Sequence, residues 1–297
     1  MAPSVPCATV DLGYPLFALD FDPDDANRLV VGGGSGAGGF GGGNKITVLE
    51  TPSQEELRVA GELELARDED CVMSLAVCPA QKAKTMRLYA GINSSPAAVA
   101  KGVNQHLRTL AVEPQARNRS SSSSSSPPPP RASPSKAGAS VKVAELARTA
   151  LFSDPDAETY QRLLRIAGPP GACLGAAASA MGKKPQIAIF DAGAGPRAAP
   201  KLRGLLELPH DAEDLDLMQT GDDTFQLAFC YKYELHVFNI GRHGGGGGEP
   251  DEGRGGDEGP HAGGDVVVVV VVVVSGMQQI PKRFCDERQR DGSVARR

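Results

Sequence analysis

One pattern limits what this chain can fold into. Short alternating segments, each broken by a Pro, Gly or Asp turn, recur in groups of four. "YPLFALDFDPDDANRLVVGG", from Tyr14 to Gly33, reads as strand, turn, strand. Phe17, Leu19 and Phe21 alternate, Asp22-Pro23-Asp24-Asp25 is turn chemistry, and Arg28 to Val31 opens the next strand. "KITVLE" and "LRVAGELELA" complete the first group. The second group is "CVMSLAVCPAQKAKTMRLYAGI", "QHLRTLAVE" and "SVKVAELARTALF". The third runs through "YQRLLRIAGPPGACLGAAAS", "PQIAIFDA" and "KLRGLLEL", and a fourth starts at "DLDLMQTGDDTFQLAFCYKYELHVFNIG".

If Val30, Tyr89, Leu174 and Leu227 mark the same strand, the steps are 59, 85 and 53 residues. The long step contains a low-complexity insertion, Pro114 to Ala139, with seven Ser followed by four Pro. Leaving out its roughly 26 residues brings that step to about 59. Four strands per period of 40 to 60 residues is the signature of a β-propeller. The expected fold is therefore all-β, a partial WD-repeat-like β-propeller of about three and a half four-stranded blades; an ordinary β-sandwich is the alternative. The chain has no Trp, so the WD dipeptide gives no help.

The expected organisation is an N-terminal segment 1–12, the partial propeller 13–241 with a disordered insertion at 114–139, a Gly-rich acidic linker 242–265, and a valine run with a charged tail, 266–297, read as disordered or aberrant. So few blades would leave an open sheet edge. The nine valines, Val266 to Val274, are half the length of a membrane span and would be an aggregation hazard as a strand.

Composition excludes several classes. A net charge of −5 gives no general reason to expect nucleic-acid binding. The six cysteines include no C-x-x-C pair, which argues against zinc ligation and against a disulfide framework. Cys71, Cys78, Cys173 and Cys230 sit in apolar runs and read as buried thiols in a reducing compartment. "MAPSVPCATVDLGYP" lacks the basic start and apolar stretch of a signal peptide.

The most unusual segment is "VVGGGSGAGGFGGGNKITVLE", where nine of the fourteen residues from Gly32 to Lys45 are glycine. Gly34-Ser35-Gly36 with Gly39 satisfies G-x-G-x-x-G, but a dinucleotide site needs a helix next, and "NKITVLE" has no helical period. A Walker A loop needs G-K-[ST], and here Gly43 is followed by Asn44 and Lys45. Two readings remain: a flexible tether, or a shaped loop whose glycines turn carbonyls inward toward a hard cation and present Asn44-Lys45 to a partner.

"GYPLFALDF", then "LVVGGG…GGGNKITVLE", then "GINSS…AKGVNQHLRTL" resemble the fungal endoplasmic-reticulum guanine-nucleotide exchange factors that start COPII coat assembly, relatives of the animal prolactin regulatory element-binding protein. The similarity runs from about Gly13 to Ile240. It rests on the Gly-rich loop closed by Asn44-Lys45 together with Gly102-x-Asn104-x-His106-Leu107-Arg108. The resemblance implies a seven-bladed propeller on the cytosolic face of the endoplasmic-reticulum membrane. It also implies a potassium ion held by backbone oxygens of the first-blade loop, for which Gly33, Gly34, Gly36, Gly38 and Gly41 are the candidates here. Asn44 and Lys45, as the loop end facing a Sar-type small GTPase, would then promote GDP release without covalent chemistry. The family loop usually carries a polar residue at its middle; Ala37-Gly38-Gly39-Phe40 stands there in this chain. The family also continues through further blades and a transmembrane helix. The rival readings are a WD-repeat-like scaffold without exchange activity and a Rossmann-type dinucleotide enzyme.

Other polar residues read as structural. His106, alone among Leu and Arg, reads as a hydrogen-bonding core residue. His210, Asp211, Glu213 and Asp214 could suggest a metal cluster but read as a capped and solvated loop, and Asp191 reads as a turn entry. No nucleophile–base arrangement or carboxylate pair is apparent.

Overall fold

The structure is a computed structural model. It describes residues 6–39, 41–79, 85–115, 140–154, 156, 158–193 and 198–241, and the backbone of 268–273. Four antiparallel four-stranded sheets follow one another along the chain as the blades of an incomplete propeller. The first holds β1 (Leu16–Asp22), β2 (Asp25–Gly33), β3 (Lys45–Ser53) and β4 (Glu56–Glu64), and the second β5 (Ser74–Cys78), β6 (Met86–Gly91), β7 (Leu107–Pro114) and β8 (Val141–Thr149). The third is β9 (Tyr160–Ala167), β10 (Leu174–Ala180), β11 (Gln186–Asp191) and β12 (Lys201–Glu207). In the fourth, β13 (Asp214–Gly221), β14 (Thr224–Tyr231) and β15 (Glu234–Gly241) are joined by β16 (Val268–Val273). Val30, Tyr89, Leu174 and Leu227 all lie on the second strand of their sheets, so the spacing read from sequence marks a true structural period.

Part of the valine run thus forms a strand, antiparallel to β15 with Val268 opposite Asn239 and Val273 opposite Glu234. It gives the fourth sheet its full complement of four strands, where sequence reading counted half a blade. The Ser/Pro insertion lies outside the described residues from 116 to 139.

Side chains alternate across each strand, so every sheet offers two faces. Three apolar layers fill the spaces between successive sheets. Val30, Ile46 and Val48 of the first meet Leu75, Val77, Leu88 and Leu110 of the second. Tyr89 and Leu107 of the second meet Ala177, Ala188 and Phe190 of the third, with Phe152 between. Ala176 and Ile187 of the third meet Leu215, Leu217, Phe225 and Leu227 of the fourth. Burial of each such aliphatic or aromatic side chain contributes on the order of 1.5–3 kcal/mol, and these layers hold the blades together. The innermost strands neighbour one another in chain order, β1 beside β5, β5 beside β9 and β9 beside β13.

The first sheet's other face is open. Phe17, Leu19 and Phe21 are 52%, 63% and 58% exposed, whereas Leu215 and Leu217 on the innermost strand of the fourth sheet are 2% and 6% exposed. The alternation in β1 encodes an inter-blade face that has no blade upon it among the described residues.

Two of the four apolar-run cysteines, Cys78 and Cys173, are buried as expected; Cys71, in the segment between the first and second sheets, and Cys230, near the end of β14, are only partly covered. His106 is 2% exposed, and its Nε2 accepts hydrogen bonds from the backbone N–H groups of Leu151 and Phe152, both at 3.1 Å. Those two donors fix the ring as a neutral imidazole with its proton on Nδ1. In the "PHDAEDLD" segment, Asp211 accepts from the Met181 N–H, Glu213 pairs with Arg162 and Asp214 with Arg165. Asp191 pairs with Arg203 at 2.8 Å.

Candidate functional site

The Gly-rich segment connects β2 to β3 at one end of the first sheet. A strand follows it, so the chain supplies no helix N-terminus for a dinucleotide pyrophosphate. Its root is packed backbone to backbone. The Gly34 N–H donates to Pro15 O at 3.0 Å, and at φ +143° its Cα faces Asn44 so closely that a Cβ would lie 2.0 Å from Asn44 Oδ1. No side chain fits there, and only glycine adopts that backbone freely.

Asn44 closes the loop from inside. It is 4% exposed, and its amide makes three hydrogen bonds. Oδ1 accepts from the Gly36 N–H at 3.0 Å, while Nδ2 donates to Gly36 O at 3.3 Å and to Glu69 O at 2.7 Å. The Gly38 N–H donates to Arg67 O at 3.1 Å. The glycine loop is therefore clamped at two points onto the segment Arg67–Asp70, which leads from the first sheet into the second. What it leaves at the surface is Ser35, Ala37, Gly38, Gly39, Gly41 and Gly42. Lys45 begins β3 opposite Glu64 and is partly covered.

The clamp continues into the protein. The Glu69 carboxylate accepts from Arg108 Nη1 at 3.0 Å, and Arg108 also reaches Glu145 at 3.1 Å. Arg148 pairs with both Glu69 and Glu145. Arg108 is 0% exposed, so the two carboxylates supply the charge compensation a buried guanidinium requires. Burial pushes the Glu69 pKa up, but the Arg108 and Arg148 guanidiniums outweigh it and hold the carboxyl below its usual range.

A second chain of hydrogen bonds runs beside the first. Asn104 Oδ1 accepts from the Ser94 N–H at 3.0 Å, and Asn104 Nδ2 donates to Asn93 Oδ1 at 3.1 Å. Asn93 Nδ2 in turn donates to Asp70 Oδ2 at 3.3 Å, and a Cβ on Gly36 would stand 3.5 Å from Asp70 Oδ1. The two motifs that carry the resemblance thus converge. Asn44 of the first meets Arg108 of the second through Glu69, and Asn104 of the second reaches Asp70, the neighbour of Glu69, through Asn93. Neither Glu69 nor Asp70 stood out in the sequence. The signal available was their position in "RDED", an acidic turn between the two groups of strands.

Beside the loop tip lies a hollow of about 340 Å³ lined by Ala37, Asp70, Asn93, Ser94, Val99 and Glu158. Its lining is mostly apolar but includes the two carboxylate residues Asp70 and Glu158. Of the carbonyls considered for potassium, Gly36 O is already engaged by Asn44 Nδ2 and by the Gly39 N–H at 3.2 Å. The other candidates for a potassium ion are the carbonyls of Gly33, Gly34, Gly38 and Gly41, since backbone oxygens are hard donors.

No protein-family model matches the chain, and no curated protein is significantly similar to it. Among the described residues no helix is long and apolar enough to cross a membrane.

Proposed function

We propose that this chain is a protein-interaction propeller acting as a guanine-nucleotide exchange factor for a Sar-type small GTPase at the cytosolic face of the endoplasmic-reticulum membrane. One observation carries the reading: the Gly-rich loop is clamped by Asn44 onto Glu69 and joined through it to Arg108, so both motifs of the resemblance build one feature. A tether would need no such clamp.

In this reading the loop acts by shape. Asn44 and the Arg67–Asp70 segment hold the backbone, and the exposed residues Ser35, Ala37, Gly38, Gly39, Gly41 and Gly42 meet the GTPase. Glycine allows a close backbone approach to the partner. The hollow beside it, whose lining includes Asp70 and Glu158, suits a basic side chain of the GTPase. Exchange needs no bond made or broken; it requires that the surface bind the nucleotide-free GTPase more tightly than the loaded one. A potassium ion held by loop carbonyls would stiffen the tip. COPII assembly follows in this reading from the activated GTPase.

Ala37-Gly38-Gly39 in place of a polar mid-loop favours the second reading, a WD-repeat-like scaffold that binds without opening the nucleotide site. GDP release from a purified Sar-type GTPase, with and without this chain and in potassium and sodium, separates them. Acceleration supports the exchange factor. Binding without acceleration supports the scaffold, and neither binding nor acceleration overturns both as applied to this GTPase.

A further inference from the structure

Between the second and third blades two reduced cysteines face each other. Cys78 ends β5 and Cys173 immediately precedes β10, 95 positions apart in sequence. They are 5% and 2% exposed, and their sulfurs are 2.9 Å apart, with the Cys78 thiol directed at Cys173 Sγ. Cys173 Sγ also lies 3.2 Å from Pro169 O and 3.4 Å from Gly168 O, which hold it in place. The surroundings are apolar and aromatic, with Tyr89, Phe190 and Ala192 in the same layer.

We propose that Cys78 and Cys173 form a modification site, in which two-electron oxidation by a peroxide joins them in a disulfide that staples the second blade to the third. The sulfurs need to approach by only about 0.9 Å to reach disulfide bonding distance. In the reaction one thiol, as thiolate, attacks a peroxide oxygen; the O–O bond breaks, leaving a sulfenic acid, and the hydroxide released takes the proton to become water. The other sulfur attacks the sulfenic sulfur; the S–S bond forms, the S–O bond breaks, and a second water leaves with the remaining thiol proton. Two thiols are oxidised by two electrons in total, and one hydrogen peroxide is reduced to two waters.

The site is a slow staple and not a fast sensor. The hydrogen bond between the two thiols, and then burial, push the Cys78 pKa up, so little thiolate is present while the layer is closed. Reaction waits on opening of the joint between the blades. Once formed, the bond closes a long loop and restricts the unfolded chain, which stabilises the folded one. The other described thiols are placed differently: Cys7 is exposed, Cys230 is partly covered, and Cys71, also partly covered, has Met73 Sδ as its neighbour at 3.4 Å.

The experiment treats the whole chain with hydrogen peroxide, alkylates the remaining thiols under denaturing conditions, and maps the tryptic peptides by mass spectrometry. Cys71 and Cys78 share one peptide, from Asp68 to Lys82, so fragment ions must tell them apart. The expected result is a Cys78–Cys173 link as the main product, with the oxidised protein melting several degrees above the reduced one. In Cys78→Ala the same treatment should leave the melting temperature unchanged. If that variant does not fold, the peptide map of the unsubstituted protein decides alone. Alkylated Cys78 and Cys173 in peroxide-treated protein, or links distributed among all the cysteines, would overturn the proposal.

Discussion

Asn44 Nδ2 lies 2.7 Å from the backbone oxygen of Glu69, and both residues are buried. This contact turns a run of glycines into a defined loop, because Glu69 is itself fixed by Arg108.

Asn44→Ala should release the loop. It removes three hydrogen bonds and leaves the Gly36 N–H and Glu69 O without that partner, a loss of about 2 kcal/mol. Urea unfolding measures the stability, and on the proposed function the acceleration of GDP release should fall while the far-ultraviolet circular dichroism stays that of a β protein. An unchanged unfolding midpoint would show that the side chain does not hold the loop.

Glu69→Ala should cost more, about 3 kcal/mol, near the lower end of the range for breaking a buried pair, because Glu145 still compensates Arg108. The native carboxyl has a depressed pKa, so its contribution is complete above the ordinary carboxylate pKa of about 4.3 and is lost as pH falls through the lower folded value. Acid titration of stability should therefore lose its lowest-pH component in Glu69→Gln.

His106 acts at higher pH. Burial, which disfavours the charged imidazolium, lowers its pKa from 6.5 to about 4. Between those values the unfolded chain binds more protons than the folded one. Stability therefore falls as pH drops from about 6.5 to about 4, by on the order of 3 kcal/mol for this group. In His106→Gln, whose side-chain oxygen can accept from the same two amides, the dependence over that window should flatten. Unfolding midpoints measured across the window check this.

Two glycine substitutions should separate loop shape from loop surface. Gly34→Ala places a Cβ 2.0 Å from Asn44 Oδ1 at φ +143° and should lose at least ~2 kcal/mol. Gly38→Ala meets nothing within 4 Å, and its φ of +71° should cost only about 1 kcal/mol. Equal losses in thermal unfolding would contradict the packing described at the loop root.

Leu19→Lys with Phe21→Lys should reduce self-association without unfolding the chain. Both side chains project from the open face of the first sheet at 63% and 58% exposure, and contiguous exposed apolar surface promotes association. Light scattering against concentration gives the comparison. A collapse of the β spectrum in this variant would mean that the face is covered.

Periodicity made the blades legible, because strand spacing is a local signal repeated four times. It could not show which faces were covered: Phe17, Leu19 and Phe21 alternate as Leu215 and Leu217 do, yet only the second set meets a neighbouring sheet. The direction of Asn44 was equally hidden. A polar residue at a loop end can turn toward a partner or inward, and the choice here depends on a carbonyl 25 positions away. Glu69 and Asp70 gave no signal in the sequence, because their partners Arg108, Asn44 and Asn93 come from other segments. The valine run had no readable register, since identical residues pair equally well after any slip.

The measurement that tests the central claim most directly is native-state hydrogen exchange at the loop amides. The Gly34, Gly36 and Gly38 N–H groups donate to Pro15 O, Asn44 Oδ1 and Arg67 O. All three should be protected well beyond an unstructured peptide, and Gly36 should lose that protection in Asn44→Ala. Exchange at unstructured-peptide rates in the unsubstituted protein would contradict it, and the glycine run would then be a tether.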